Sequence, residues 1–246
     1  MIEVREIRKC FADEEVLHGI TAQFEKGLTN LIIGRSGSGK TVLMKCIVGL
    51  LEPDGGEVLY DGRNLHRMPK NEQGRIKKEI GMLFQGAALF DQMNVMQNVL
   101  FPLEMFSSAN QRERKARASY CLERVGMLEA ASKMPDELSG GMQKRVAIAR
   151  AIALEPKYLF CDEPNSGLDP VTSLTIDELI HSITHEANIT TVINTHDMNS
   201  VRGIGENSLF IHEGNAEWKG TNQDLSTISN PLLRQFIAPQ DEKSRR

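Results

Sequence analysis

An α/β fold with a helical lobe inserted between two alternating halves is the fold class this sequence predicts. Three observations predict it. An apolar strand pattern over 28–33 runs through a glycine-rich turn into a helix-spaced segment over 42–50, the strand–turn–helix unit of a parallel sheet. From Ser139 onward, helix and strand patterns alternate again. Between these halves, residues 94–125 carry helical spacing and no strand signal.

The elements follow in order. Ile2, Val4 and Ile7, then residues 16–24, read as strands, with Lys26-Gly27 turning the chain. After the first helix, Glu52-Pro53-Asp54-Gly55-Gly56 is a turn, followed by a short strand over 57–60 and a second turn at Asp61-Gly62. Residues 80–84 form a compact apolar strand that ends at Gln85. Helices are expected over 94–106 and 110–125, the second stopped by Gly126. Residues 86–138 are therefore assigned to the inserted helical subdomain and 1–85 with 139–240 to the core, leaving 241–246 as a solvated tail. In the second half the spacing gives a helix to Leu154, a strand over 158–161, a helix over 170–187, a strand over 189–194 and closing strands over 209–212 and 216–219. Asp169-Pro170 is a strong helix start, because the Asp side chain caps and Pro suits the first helical position.

Composition excludes several classes. With 40% apolar and 25% charged residues the 246-residue chain is ordinary globular material, not disordered. A net charge of −4 argues against nucleic acid held by bulk charge. The one basic cluster, Arg112, Arg114, Lys115 and Arg117, reads as a solvated helix face. Cys10, Cys46, Cys121 and Cys161 form no C-x-x-C pair, which suits free thiols in a reducing compartment. No signal peptide and no run of about 18 apolar residues is present, so a cytosolic chain is expected whose membrane role comes through a partner.

Gly34-Arg35-Ser36-Gly37-Ser38-Gly39-Lys40-Thr41 satisfies the phosphate-loop pattern G-x-x-x-x-G-K-[ST] between a strand and a helix. Successive N–H groups of such a turn point into one concavity, and the helix terminus adds about half a positive charge. Lys40 is expected to reach the β- and γ-phosphates of a nucleotide, and the Thr41 hydroxyl to ligate Mg²⁺. Tyr158-Leu159-Phe160-Cys161-Asp162-Glu163 is a buried-type strand ending in two carboxylates. Adjacent strand side chains point to opposite sides, so the acids take different jobs: Asp162 suits the Mg²⁺ shell and Glu163 a general base for water. Leu138-Ser139-Gly140-Gly141-Met142-Gln143 opens a helix and offers a second anion site.

The order of these features resembles the ATP-binding cassette (ABC) ATPase family over nearly the whole chain. Leu138–Gln143 matches its signature, with Met142 where glutamine is commonest. Gln85 matches its glutamine loop, and residues 158–163 its acidic strand. Ser166-Gly167-Leu168-Asp169 matches its D-loop, and His196 in Asn194-Thr195-His196-Asp197 its switch histidine. Asn165 stands where threonine is usual. The resemblance implies a RecA-like phosphate-loop core, an antiparallel β subdomain at the N-terminus and the inserted helical subdomain. It implies a head-to-tail homodimer in which each ATP with Mg²⁺ lies between one copy's phosphate loop and the other's Ser139, Gly140 and Gly141. Catalysis would involve Lys40, Gln85, Glu163 and His196; Thr41, Gln85 and Asp162 would hold Mg²⁺. Phe11 falls where the family stacks an aromatic ring on adenine, and Asp169 falls in its nucleotide-facing D-loop.

Residues 82–99, rich in Met, Leu and Phe, form the segment that in this family faces the driven partner, and methionines make adaptable contact surfaces. Its Leu-Phe-Gln, Ala-Leu-Phe and Met-Asn-Val steps look like the Mla/Mce-type lipid-transport ATPases, as do the Leu-Ser-Gly-Gly-Met signature and Asn230-Pro231-Leu232-Leu233-Arg234-Gln235-Phe236. That subgroup implies an integral-membrane permease, an Mce lipid-binding protein, in some members a STAS-domain regulator, and a seat on the cytoplasmic face of a bacterial inner membrane. An ATPase of another importer, for example for amino acids, and a soluble ABC ATPase such as in iron–sulfur assembly remain the other readings.

Overall fold

A computed structural model describes residues 1–12 and 14–243. The chain begins with β1 (Ile2–Phe11), β2 (Glu14–Phe24), β3 (Thr29–Ile33), α1 (Lys40–Ile47), β4 (Gly55–Tyr60), β5 (Arg63–Asn64) and α2 (Lys70–Lys78). It continues through β6 (Ile80–Leu83), α3 (Val95–Phe106), α4 (Gln111–Arg124), α5 (Gly140–Ile152), β7 (Tyr158–Asp162) and α6 (Pro170–Glu186). It closes with β8 (Thr190–Thr195), α7 (Met198–Ile204), β9 (Asn207–His212), β10 (Asn215–Thr221) and α8 (Pro231–Lys243). Two compact units result, one of Met1–Lys77 with Thr190–Arg246 and the other of Lys78–Ile189.

In the first unit β1 lies between β2 and β4, antiparallel to both, with Ile2 opposite Phe24 on one side and Tyr60 on the other. Ile2, Val4, Ile7, Leu17, Ile20 and Phe24 are buried on one face of that sheet, while the residues between them are mostly exposed. β3 is different: all five of its residues are buried, as suits a parallel strand covered on both faces. It pairs in parallel with β8 on one side and β9 on the other, and β10 pairs antiparallel with β9. The polar residue inside β3 is satisfied: buried Asn30 donates to the carbonyls of Glu25, Leu28 and Thr191 and accepts from the Glu25 N–H, fixing the turn before the strand.

In the second unit β6 and β7 pair in parallel, Ile80 opposite Tyr158 and Leu83 opposite Cys161. α3 and α4 both begin with capping boxes, Asn94 with Gln97 and Asn110 with Glu113. Buried Asn98 accepts from the Phe90 N–H and donates to the carbonyls of Phe90, Met93 and Asn94, which ties the loop before α3 to its own helix. Among the described residues no helix is long and apolar enough to cross a membrane.

Two expectations are corrected. α8 continues through Lys243, so residues 241–243 are helical instead of a tail; 244–246 lie outside the described residues. The basic cluster on α4 is only half a solvated face. Arg112 and Lys115 are exposed, but Arg117 donates to the carbonyls of Ile152 and Ala153, and Arg114 donates to Ser107 O. Those two guanidiniums satisfy main-chain oxygens that α5 and the end of α3 leave open.

Candidate nucleotide-binding site

The sequence-predicted residues divide between the two units. Phe11, Gly34–Thr41 and His196 belong to the first; Gln85, Ser139–Gly141, Asp162, Glu163 and Asp169 belong to the second.

In the first unit the register of β3 and β8 sets Ile33 opposite Thr195. Both strands end there, so the loop from Gly34 and the segment with exposed His196 leave the same carboxyl edge side by side. That edge is where open parallel sheets bind ligands. The loop is packed tightly from behind. A Cβ on Gly34 would stand 2.3 Å from the Ile211 carbonyl, and one on Gly39, at φ 102°, 2.9 Å from a Leu17 methyl. Toward the front it is open, since a Cβ on Gly37 would meet nothing within 4 Å. Lys40 is buried, and its ammonium donates to the carbonyls of Gly34 at 2.8 Å and Arg35 at 3.0 Å, which holds the positive charge at the centre of the loop. No side chain caps α1, so the amides of its first turn face the concavity. The Ser38 hydroxyl is buried with no hydrogen-bond partner. An uncapped helix terminus, an orphaned hydroxyl and a buried cation fit a polyphosphate oxygen cluster. Phe11 is exposed at the end of β1, with the Lys9 ammonium 5.6 Å from its ring centre. Its neighbour Lys9 pairs with Leu17, the residue packed behind Gly39.

In the second unit Asp162 is buried at the end of β7 and Glu163 follows at φ 49°, a left-handed conformation uncommon outside glycine. That turn aims consecutive carboxylates differently, and the Glu163 carbonyl accepts from the Ser166 N–H. Gln85 is exposed just after β6 and its amide donates to the Ser166 hydroxyl at 3.2 Å, joining the glutamine loop to the D-loop. Asp169 caps α6 from both Val171 and Thr172 N–H groups and also accepts from the Thr172 hydroxyl. Those bonds hold its carboxyl below the usual carboxylate range. Ser139 caps α5, accepting from the Met142 N–H at 3.4 Å, which leaves its O–H free in direction to donate outward. Gly141 is required by close approach: a Cβ there would stand 2.5 Å from a Thr172 methyl. Asn165 donates to Asp177 at 2.8 Å, a structural bond within this unit.

Lys144 stands outside every sequence motif named above. It is 4% exposed, and its ammonium donates to the Gln85 carbonyl. Burial lowers its pKa, while Cys161, Asp162 and Glu163 oppose that shift. The signal was available: Lys144 stands in the helical stripe Gly141, Lys144, Ile148, Ile152, every other member of which is buried or small.

The pattern of the ABC transporter family matches residues 17–166. The chain belongs to the ABC transporter ATP-binding family. This chain is 35% identical to the probable ribonucleotide transport ATP-binding protein mkl of Mycobacterium leprae over 236 residues, 96% of the chain and 68% of mkl. It is also 35% identical to the intermembrane phospholipid transport system ATP-binding protein MlaF of Haemophilus influenzae, over 96% of the chain and 90% of MlaF. The dimeric cassette MJ0796, solved in a post-hydrolysis state bound to ADP and Pi, superposes with a TM-score of 0.82 at 31% identity, covering 90% of this chain and 99% of that one. This ABC ATPase therefore has the ABC fold, hydrolyses ATP and works with ATP and Mg²⁺. Members of the family dimerise and pair with membrane permeases.

Proposed function

We propose that this ABC ATPase drives a permease that moves phospholipids between membranes of a bacterial envelope, from the cytoplasmic face of the inner membrane. What supports the transport half is that the relation to MlaF, at 35% identity over 96% of the chain, takes in 90% of MlaF, whereas mkl is covered to 68%. Phe84 and Phe90 are exposed on either side of Gln85, and Met105 and Phe106 are exposed at the end of α3, apolar side chains suited to contact with a membrane protein's cytoplasmic loops.

The site residues take these roles. The loop amides and Lys40 hold the β- and γ-phosphates, and Phe11 stacks on the adenine. Thr41, Asp162 and Gln85 would hold Mg²⁺ through oxygens, and the ion would neutralise developing phosphate charge. Glu163 accepts the proton of the attacking water, and His196 donates to the γ-phosphate. Ser139 and the Gly140–Gly141 amides close on that phosphate from a second copy, with Asp169 and the D-loop beside them. A charged γ-phosphate is then held from two chains, and its cleavage releases one of them.

The lipid assignment is tested by isolating the chain from its native membranes in mild detergent. Recovery with a permease, an Mce lipid-binding protein and bound phospholipid, with or without a STAS-domain regulator, supports it. Recovery with a ribonucleotide- or amino-acid-binding protein, or with no membrane partner, overturns it.

A further inference from the structure

Helix α5 makes cationic contacts with the loop after β6 that the roles above do not use. Lys144 donates to the Gln85 carbonyl. Arg150, six residues later on the helix, donates to the carbonyls of Ala88 at 2.7 Å and Ala87 at 2.9 Å, with its guanidinium 5.7 Å from the centre of the Phe90 ring. Ala87 and Ala88 both have left-handed backbones, φ 60° and 50°. Consecutive left-handed alanines are strained, and such conformations persist only where surrounding contacts hold them. Among the holding contacts are three charge-assisted bonds from one helix to three carbonyls of the eleven-residue loop between β6 and α3. On its far side the same loop is pinned to α3 by Asn98.

We propose that Lys144 and Arg150 form a strap that makes Gln85 move with α5, so that the signature of one copy, on engaging the second copy's ATP, repositions Gln85 in its own site. The inference rests on the head-to-tail reading of Ser139–Gly141. Ser139 caps the helix that carries both cations, and a helix of 13 residues transmits a displacement along its axis as a rod. Lys144 stands little more than one turn from that cap. The two ATP sites of a dimer are then coupled through each chain's own second unit. By linkage the coupling is reciprocal: a nucleotide that draws Gln85 inward also biases α5 toward its partner.

The test compares the full wild-type chain with Lys144→Met and Lys144→Arg, measuring hydrolysis rate against ATP concentration, binding of a fluorescent ATP analogue, and thermal melting. Wild type is expected to approach a Hill coefficient of about 2, the limit for two sites. Lys144→Met should fall to about 1 with a lowered kcat, while analogue affinity holds. Lys144→Arg keeps a cation and donor and should recover the cooperativity. A Lys144→Met chain as cooperative as wild type overturns the strap, and so does a Lys144→Arg chain as impaired as Lys144→Met. If Lys144→Met melts early, Arg150→Lys, which gives up one of its two carbonyl bonds, must lower the Hill coefficient partway; an unchanged value overturns the proposal. Failure of the dimer reading looks different. There wild type itself would hydrolyse without cooperativity and Glu163→Gln would stay monomeric in ATP, removing the strap together with the clamp.

Discussion

Glu163 is the residue on which turnover is expected to depend most sharply. Its backbone sits at φ 49° after a strand whose residues are all buried, so the side chain is aimed by a turn it would not adopt unaided. Glu163→Gln keeps size and polarity but cannot accept a proton, so ATP binding should survive while kcat falls about 10²- to 10⁴-fold. Phosphate-release assays check this, and unchanged turnover would remove Glu163 as the base. The cysteines give a second residue-level prediction. Burial pushes the Cys46 and Cys121 thiols up to about 11, and Cys161, fully enclosed in β7, higher still. Cys10 is exposed. Only the thiolate alkylates, so at pH 8 iodoacetamide should modify Cys10 alone in the folded chain and all four cysteines after denaturation. Intact mass reads the count, and two or more rapid additions to the native protein would contradict the burial.

Helix starts carry the proposed phosphate contacts, and Gly141 shows how tightly one of them is fitted. Gly141→Ala places a methyl against Thr172, whose own hydroxyl is engaged by Asp169 and cannot swing away without loss. Overpacking of this kind costs about 1–3 kcal/mol. Thr172→Ser deletes the offending methyl and keeps the hydroxyl, so the double variant should regain most of the melting temperature; equal melting of single and double variants would place the strain elsewhere. The same starts explain what was legible in the sequence. α1, α5 and α6 announce themselves by local signals, a glycine-rich turn, the Ser139 cap and Asp169-Pro170. α7 has a cap as well, Asp197 accepting from the Asn199 N–H, but its seven residues contain Gly203 and are too short to show a helical spacing; burial of Met198, Val201 and Ile204 holds the helix. α8 was hidden for the opposite reason: Pro239 in its interior reads as a stop, yet Leu233 and Phe236 anchor its first turns. Lys144 escaped because a lysine is read as surface unless its place in a buried stripe is weighed first. The phosphate loop, by contrast, needs only backbone and spacing, both of which the sequence states outright.

At the scale of the molecule the arrangement of anion sites is the decisive fact. On the proposed roles, one chain carries two helix starts that receive phosphate oxygens, α1 in the first unit and α5 in the second, each with only part of a hydrolytic site. Two-fold pairing of two chains gives each nucleotide one start from each copy. In Mg–ATP the Glu163→Gln chain should therefore weigh twice the 27.5 kDa of one chain by light scattering, and Lys40→Ala should remain single. Mass alone does not say whether a nucleotide is shared between chains, but mixing does. Lys40→Ala spoils a phosphate loop and Ser139→Arg blocks a signature; neither homodimer then has an intact site. In a mixed head-to-tail dimer both defects fall on one nucleotide and the other site is whole. Equimolar mixing should restore up to about a quarter of wild-type hydrolysis, half the dimers being mixed and half their sites sound. Coupling through Lys144 would pull the figure below that ceiling. If each nucleotide were held within one chain, no combination of these variants would regain activity, so any recovery above the separate proteins decides for the shared site.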